Sequence, residues 1–319
     1  MEAVPAVDDL LGRVPAWAGR AVAWAPLPGG LSHHIYRVTA GADEYVLRVL
    51  QPAVSAAGLG IPPEQEVANT LAAARSGAGA AVVEVLADVP ALVLEFIPGR
   101  TLGAADVRDP GRAEPIAAAC RRLHAGPRFG NDFEIFAKRA ELLALCRRHD
   151  LPLPDGYHDH DDAVARLRAA LASEPPRTVP CHNDLLAENF IEESPGTVRI
   201  IDYQLSGNND PAFELGDIAA EADFDNDQTE RLATAYVGPE RSAALLARVR
   251  LNLIASNVTW ALWFAVHCGL LADGGNDSGF DYAGEAADKW GQAVRDLTAA
   301  DFGRLLDTVT GRRPATFPS

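Results

Sequence analysis

The chain has 319 residues, of which 48% are hydrophobic and 23% are charged, and its formal net charge at pH 7 is −16. A chain of this length can bury a sizeable core, either in one large domain or in two lobes. The acidic balance argues against a protein that binds nucleic acid or an anionic membrane surface, because such proteins usually present a basic face. It is compatible with a small cationic substrate.

Two strands are predicted near the N-terminus, at 35–38 and 45–49, and a glycine-containing turn joins them. The segment PGGLS at 28–32 precedes them. Two glycines ahead of a strand can let backbone N–H groups approach phosphates, although an ordinary hairpin turn has the same composition. Gly30 and Ser32 are our candidates for nucleotide contacts in this loop.

The second of these strands carries a cation, Arg48, and a helix is predicted after it at 63–74. In kinases, a cation on a strand holds the nucleotide phosphates and pairs with a helix glutamate. We therefore predict that Arg48 contacts the phosphates and that Glu66 is its partner, with Glu64 as the alternative. Either glutamate could instead be a solvated residue at the start of a helix, where the helix dipole favours an acid.

Two further strands are predicted at 82–86 and 91–96, and an Ile-Pro-Gly sequence at 97–99 then breaks the pattern. This break is the predicted boundary between two lobes. We expect residues 1–97 to form a nucleotide-binding N-lobe and residues 98–319 to form a C-lobe that carries the catalytic and acceptor-binding groups.

The most informative segment is HNDLLAEN at 182–189, followed by an apolar run that ends at Asp202. The pattern H-x-D-x-x-x-x-N with an aspartate behind it has the spacing of a kinase catalytic loop and its metal-binding aspartate. Strand-like stretches at 177–180 and 197–201 flank the loop, and we predict that they pair as a hairpin.

The residue types in this segment fit phosphoryl transfer. That reaction needs a carboxylate near the attacking hydroxyl and oxygen ligands for the Mg²⁺ on the nucleotide phosphates. Asp184 is the candidate for the first role, and Asn189 and Asp202 are the candidates for the second. We expect His182 to support the loop rather than to act as an acid or base. The predicted activity is ATP- and Mg²⁺-dependent phosphorylation of a small-molecule hydroxyl.

The predicted fold is α+β, a two-lobed protein-kinase-like fold with a small antiparallel-sheet N-lobe and a larger, mainly helical C-lobe. The most apolar long segment, 251–271, is interrupted by polar residues, which favours a buried helix over a membrane span. The four cysteines are scattered without the spacing of a zinc site, and no signal peptide is recognised, so we expect a cytoplasmic protein.

Taken together, these segments resemble the choline/ethanolamine kinases, within the wider aminoglycoside-phosphotransferase-like group of small-molecule kinases. The likeness runs from about residue 27 to residue 290. It is carried by the nucleotide loop at 29–37, the arginine at 48, the catalytic loop at 181–191 and the segments at 201–209 and 213–221. The resemblance implies that adenine binds to the backbone of the segment between the lobes, around Glu95 and Ile97.

The resemblance also implies an acceptor site. Trp260, Trp263, Phe280 and Tyr282 resemble the residues that form the family's aromatic cage for a quaternary ammonium, and Glu221 matches an acidic residue near that cage. An aromatic face attracts a desolvated cation by about 2 kcal/mol. The two tryptophans can share one face of a helix, although a buried helix often carries tryptophans in its core. The acceptor that this implies is choline or a related amino alcohol, with choline before ethanolamine.

Four residues differ from the family's usual pattern. Gln204 replaces a glutamate, which bears on the number of metal contacts, and Leu205 replaces an aromatic residue of the acceptor site. His33 replaces an asparagine in the nucleotide loop, and Glu214 replaces an aspartate. The alternatives that stay open are an aminoglycoside or thiamine phosphotransferase of the same fold and a nucleotide-binding pseudokinase.

Overall fold

The computed structural model describes residues 6–27, 32–86, 89–239, 242–271 and 280–311. Its N-terminal part contains the strands β1 (Val22–Pro26), β2 (His34–Ala40), β3 (Asp43–Val49), β4 (Val82–Leu86) and β5 (Ala91–Glu95). These strands pair antiparallel in the order β1-β2-β3-β5-β4. Three helices accompany the sheet: α1 (Val7–Leu11), α2 (Pro52–Ala56) and α3 (Pro63–Ser76).

The predicted strands of the N-lobe are confirmed, but β1 was not predicted. The hairpin of β2 and β3 closes at Ala40 and Asp43, and Gly41 takes a left-handed conformation in its turn (φ 69°). Apolar residues that alternate along these strands, such as Val38 and Leu47, are fully buried against α1. In contrast, β1 lies at the edge of the sheet and is mostly exposed, so it lacks the alternation that reveals a strand.

The helix α3 joins the N-terminal sheet to the rest of the molecule. It begins with a proline at its first turn and ends at a left-handed Gly77, which is the usual way to stop a helix. Ala72 and Ala73 are buried in the larger apolar core. Asn69 Nδ2 donates to Ser206 Oγ at 3.0 Å. The N-terminal sheet is therefore anchored to the second part of the chain through this helix.

The second part of the chain is mainly helical. Its helices are α4 (Ala104–Val107), α5 (Ala113–His124), α6 (Ile135–His149), α7 (Asp161–Ser173), α8 (Pro211–Glu221), α9 (Asn226–Val237), α10 (Ser242–Leu270), α11 (Tyr282–Leu297) and α12 (Phe302–Val309). Its strands are β6 (Arg100–Thr101), β7 (Val179–Cys181), β8 (Phe190–Ser194), β9 (Thr197–Ile200) and β10 (Gly207–Asn209). These observations confirm the predicted fold class.

The helix α10 is the centre of this part. It packs against α6, α7, α8, α9, α11 and α12. By length and composition, its segment 244–270 could cross a membrane, but 78% of its most apolar window is buried inside the structure. The buried helix predicted at 251–271 is thus confirmed as a core helix.

The predicted pairing of the strands around the catalytic loop is wrong. Residues 179–181 of β7 pair with β10, and β9 pairs with β8, so 177–180 and 197–201 are not hairpin partners. The reason is that the connection between β8 and β9 is very short. Only Pro195 and Gly196 separate β8 from β9, and Gly196 is left-handed (φ 79°), which makes a tight turn. The catalytic loop instead crosses from one small sheet to the other.

Candidate active site

The catalytic loop is held in place by a buried carboxylate on α8. The backbone N–H groups of His182 and Asn183 donate to the two oxygens of Glu214 at 2.7 and 2.8 Å. Burial alone would raise the pKa of Glu214, but the nearby His124 and these N–H groups hold it below its usual value. Glu214 is therefore charged, and both of its oxygens hold the backbone of the loop.

His182 supports the loop, as predicted. Its Nδ1 accepts a hydrogen bond from the N–H of Asp184 at 3.3 Å, and its Nε2 lies 2.8 Å from the carbonyl oxygen of Ile201. Because Nδ1 is an acceptor, Nε2 carries the proton and donates to that carbonyl. The ring is fully buried, and this burial lowers the pKa of His182. The neutral imidazole of His182, with both ring nitrogens hydrogen-bonded, therefore supports the loop.

Asp184 lies at the wall of a large cavity and is partly buried. Burial, followed by the negative charges of Asp217, Glu221 and Asp202, raises the pKa of Asp184 well above its ordinary value. A carboxyl group with a raised pKa is a better proton acceptor once it is ionised. This environment suits the role of a base near an attacking hydroxyl.

A backbone hydrogen bond brings together the segments that carry the two predicted metal ligands, Asn189 and Asp202. Asn189 ends a short 3-10 turn, and its carbonyl accepts a hydrogen bond from the N–H of Ile201 at 3.0 Å. Asn189 Nδ2 donates to the carbonyl oxygen of Asp184 at 2.8 Å, so its Oδ1 is the atom left for a metal. Asp202 follows β9 with a left-handed backbone (φ 69°), and its side chain is 22% exposed. An amide oxygen and a carboxylate are ligands that Mg²⁺ prefers, so the residues present fit this ion.

Arg48 connects the N-terminal sheet to this pair. Its Nη2 lies 2.9 Å from Glu66 Oε1, and its Nε lies 3.1 Å from the same oxygen. Arg48 Nη2 also donates to Asp202 Oδ1. Burial alone would raise the pKa of Asp202, but the guanidinium lowers it to about 2. The predicted partner Glu66 is thus in contact with Arg48, whereas Glu64 is exposed.

The replacement at His33 has a structural explanation. His33 Nδ1 accepts a hydrogen bond from the backbone N–H of Gln51 at 3.0 Å. Its Nε2 lies 3.2 Å from Glu66 Oε2, the oxygen that Arg48 leaves. His33 therefore completes the buried network around Glu66. The sequence singled out His33 only as a departure from the family's pattern, and nothing near it in the chain pointed to its contact with Glu66.

One cavity of about 800 Å³ brings most of the predicted site together. Of the candidates named from the sequence, it is lined by Ser32, Arg48, Glu95, Ile97, Asp184, Asn189, Asp202, Glu221, Trp260, Trp263 and Phe280. Glu66 contacts Arg48 but is not among the described residues that line the cavity. Gly30 lies outside the described residues. Tyr282 packs on His267 with ring centroids 4.1 Å apart, and it is not among the described residues that line the cavity.

Both tryptophans of α10 line the cavity, and the indole N–H group of each is held by a hydrogen bond. Trp260 Nε1 donates to Asp217 Oδ1 at 2.8 Å, and Trp263 Nε1 donates to the carbonyl oxygen of Leu59 at 3.1 Å. Phe264 also lines the cavity, and its ring stacks on Phe280 at 6.1 Å. Phe264 was not predicted, although its position directly after the second tryptophan could have suggested it.

Asp217 connects the catalytic loop to this aromatic wall. Its carboxylate accepts hydrogen bonds from Leu185 N at 2.7 Å and from Ser256 Oγ at 2.8 Å, besides the one from Trp260. Burial and the charge of Glu221 raise the pKa of Asp217 to about 7. Asp217 was not a predicted site residue, because its role depends on contacts between three distant parts of the chain.

Two departures from the family pattern also lie at the cavity. Gln204 Nε2 donates to Ser32 Oγ at 3.2 Å and to the carbonyl oxygen of Leu59 at 3.1 Å. The Gln204 side chain thus links the segment after β9 to Ser32, which precedes β2. Leu205 contributes an apolar wall. Glu285 and Phe264 are further lining residues that the sequence did not reveal.

Comparison with known proteins places this geometry in a family. The probable choline kinase 3 of Arabidopsis thaliana is 26% identical over 291 residues, which cover 81% of each chain. The structure of a choline/ethanolamine kinase family protein from Mesorhizobium loti has a TM-score of 0.80 at 27% identity and covers 96% of this chain and 99% of that one. Choline kinase LicA from Streptococcus pneumoniae, at 20% identity and a TM-score of 0.71 over 91% of this chain and 98% of that one, shares the fold.

The sequence model of the phosphotransferase enzyme family matches residues 23–250, which include all but the first residue of β1, the predicted catalytic loop, Asp202 and the first turns of α10. This span contains Arg48, Asp184 and Asn189. The chain belongs to the phosphotransferase enzyme family.

Proposed function

We propose that the protein transfers the γ-phosphoryl group of ATP, with Mg²⁺, to the hydroxyl of choline or a related amino alcohol. The observation that carries this proposal is the single cavity of about 800 Å³, because phosphate-binding, metal-binding and aromatic residues all line it. Its size suits a nucleotide together with a small acceptor. In this proposal, residues 1–97 supply the nucleotide-side lobe and residues 98–319 supply the catalytic and acceptor groups.

Each residue of the phosphate end has a physical role. Arg48 can grip phosphate oxygens because its guanidinium is always charged and planar, and Glu66 fixes its orientation. Asn189 and Asp202 would hold Mg²⁺, which when bound supplies charge neutralisation on the nucleotide phosphates. Asp184 orients the acceptor hydroxyl and takes its proton.

The acceptor end is aromatic and acidic. Trp260, Trp263, Phe264 and Phe280 line the cavity together with carboxylates. A quaternary ammonium donates no N–H hydrogen bond, so aromatic faces and a nearby negative charge are what can bind it. Leu205 in place of an aromatic residue leaves room for a bulkier amine, and this favours testing acceptors larger than choline as well.

The test is ATP consumption by the purified protein across a panel of alcohols. Choline and ethanolamine come first, followed by thiamine and an aminoglycoside. We expect choline to accelerate ATP consumption most, only when Mg²⁺ is present, and Asp202→Ala to abolish the acceleration. If thiamine or an aminoglycoside is the acceptor instead, the kinase assignment stands and the amino-alcohol assignment is wrong. Nucleotide binding without turnover of any alcohol would indicate a pseudokinase.

A further inference from the structure

The acidic residue that resemblance places near the acceptor's cation is already paired within the protein. Glu221 Oε1 lies 2.8 Å from Lys289 Nζ, and the Lys289 side chain is only 5% exposed. Lys289 also donates to the carbonyl oxygen of Ala220 at 3.2 Å. Because opposite charges at this distance oppose each other for a third ion, Lys289 offsets part of the field that Glu221 exerts on a substrate, although Glu221 still acts on Asp184 and Asp217.

A second carboxylate faces the same cavity without such a partner. Glu285 is in the first turn of α11, one helical turn before Lys289, and it lines the cavity. Among the described residues, its carboxylate forms no hydrogen bond and no ion pair. Burial, which Lys289 offsets only in part, raises the pKa of Glu285. A partly desolvated carboxylate without a partner is a site where a bound cation lowers the free energy.

The surroundings of Glu285 are those of a cation site. Phe280 directly precedes the cap of α11, and its ring stacks on Phe264, so aromatic faces lie beside the start of this helix. Arg48 is the one lysine or arginine that lines the cavity within the described ranges, and it belongs to the phosphate end, where Glu66 and Asp202 bind it. No lining cation of the described part therefore competes with a substrate at the acceptor end.

We propose that Glu285 is the carboxylate that selects a cationic acceptor, with Phe264 and Phe280 as the aromatic faces. The Glu221–Lys289 pair instead holds α11 against α8. This inference rests on the proposed function and names the acceptor class more closely: an alcohol with a fixed positive charge near its hydroxyl. A neutral alcohol of the same shape is expected to be a poor acceptor.

The experiment compares choline with its neutral carbon isostere, 3,3-dimethylbutan-1-ol. The readout is the ratio of the two kcat/KM values, which cancels changes in the phosphate end. Glu285→Gln keeps the size of the side chain and should lower the ratio about tenfold, with the KM for ATP nearly unchanged. Asp288→Asn is the matched control, because it removes the same charge from the exposed side of the same helix and should leave the ratio as in the wild type.

The double variant Glu221→Gln/Lys289→Met tests the competing assignment. It removes both charges of the buried pair together, so neither is left unpaired. We expect its choline preference to stay within about twofold of the wild type, since a neutral pair contributes little field. Loss of the preference in this variant and its retention in Glu285→Gln would overturn the inference and make Glu221 the counter-charge. If the double variant does not fold, the comparison of Glu285→Gln with Asp288→Asn still decides whether Glu285 selects the cationic acceptor.

The outcomes separate this inference from the proposed function. Turnover of choline with an unchanged ratio in Glu285→Gln overturns the role of Glu285 and leaves the proposed function standing. Failure of choline and ethanolamine to accelerate ATP consumption in the wild type overturns the proposed function, and the role of Glu285 falls with it.

Discussion

Two residues of the candidate active site, Asn183 and Asp202, have a left-handed backbone although they are not glycine. Asn183 has a φ of 68° and Asp202 a φ of 69°. Asn and Asp tolerate this conformation better than other residues do, but it still costs about 1–3 kcal/mol where it is held. Glu214 holds Asn183 through its backbone N–H, and Arg48 holds the side chain of Asp202. The sequence shows the residue types, whereas the contacts that hold them come from distant segments.

Replacement of Asp184 should separate catalysis from folding. Asp184→Asn keeps the shape but removes the base, so kcat should fall by about 10²-fold or more. The raised pKa of Asp184 means that its charge opposes the folded state, because burial desolvates it and Asp217 and Glu221 repel it. The melting temperature should therefore not fall, and nucleotide affinity measured by titration should be nearly unchanged. Near-normal turnover in this variant would remove Asp184 from the mechanism.

Replacement of Arg48 should affect both the nucleotide and the fold. Arg48→Lys keeps a charge near Glu66 and Asp202 but loses the bidentate grip, so its KM for ATP should rise less than that of Arg48→Ala. Arg48→Ala leaves two carboxylates of a buried network uncompensated, which costs about 3–5 kcal/mol of folding free energy.

The control for Arg48 is Arg20→Ala, which breaks the more exposed Arg20–Asp43 pair of the same lobe. It should change stability by less than about 1 kcal/mol and leave the KM for ATP unchanged. Steady-state kinetics and chemical denaturation give both quantities. An Arg48→Ala enzyme that matches the wild type in KM would show that Arg48 does not contact the nucleotide.

At the scale of elements, α8 links the loop after β7 to the core helix α10 through hydrogen bonds. Asp217 on α8 accepts one hydrogen bond from the loop and two from α10. Asp217→Asn replaces one acceptor oxygen with a donor, so at least one of the three donors faces an N–H group. We expect a lower kcat together with a higher KM for the acceptor, and a smaller change in the KM for ATP.

The control for Asp217 is Ser256→Ala. It removes one of the same three hydrogen bonds without opposing the other two, so it should cost only about 1 kcal/mol of stability and leave kcat closer to normal. If both variants lower kcat equally, Asp217 acts only through the packing of α10 and not through the catalytic loop.

The elements that the sequence predicted well are those with local signals. The strands around Arg48, the helix at Pro63 and the core helix at 251–271 follow apolar periodicity, prolines and glycines. The exposed edge strand β1 has no such periodicity, and the pairing of β7 with β10 depends on a connection that local patterns do not encode. The same limit applies to the site, where the packing of α11 brings Glu285 to the cavity wall and Lys289 to Glu221.

At the scale of the molecule, the site lies between the N-terminal sheet and the helical part. Arg48 is more than a hundred residues away in the chain from Asp184, Asn189 and Asp202, and one cavity brings the four side chains together. Motif spacing singled out these residues as candidates, because phosphoryl transfer restricts the residue types that can serve it, and their roles remain predictions. The carboxylates of Asp184, Glu221 and Glu285 line this cavity, and Asp217 is buried behind its lining residue Trp260.

These carboxylates should make the stability of the whole molecule depend on pH. The folded-state pKa of Asp217 is raised from 3.8 to about 7, and that of Asp184 is raised well above its usual value. A group with a raised pKa contributes stability that is complete below its unfolded pKa and is lost as the pH rises through its folded pKa. An unfolded histidine is half protonated at about pH 6.5 and almost neutral by about pH 7.5, so in the window from about pH 6.5 to 8 the lowered pKa of His182 opposes this trend only in the lower part.

The free energy of unfolding should therefore decrease over this window, by at most about 1.4 kcal/mol per pH unit for each proton that the folded state retains. Asp217→Asn and Asp184→Asn remove one titrating group each, so each should flatten the slope. Asp288→Asn removes an exposed charge and should not change it. Chemical denaturation at several pH values measures the slope directly. A slope that neither Asp217→Asn nor Asp184→Asn changes would mean that both carboxyl groups are ionised throughout, and this side of the cavity would then carry its full negative charge at neutral pH.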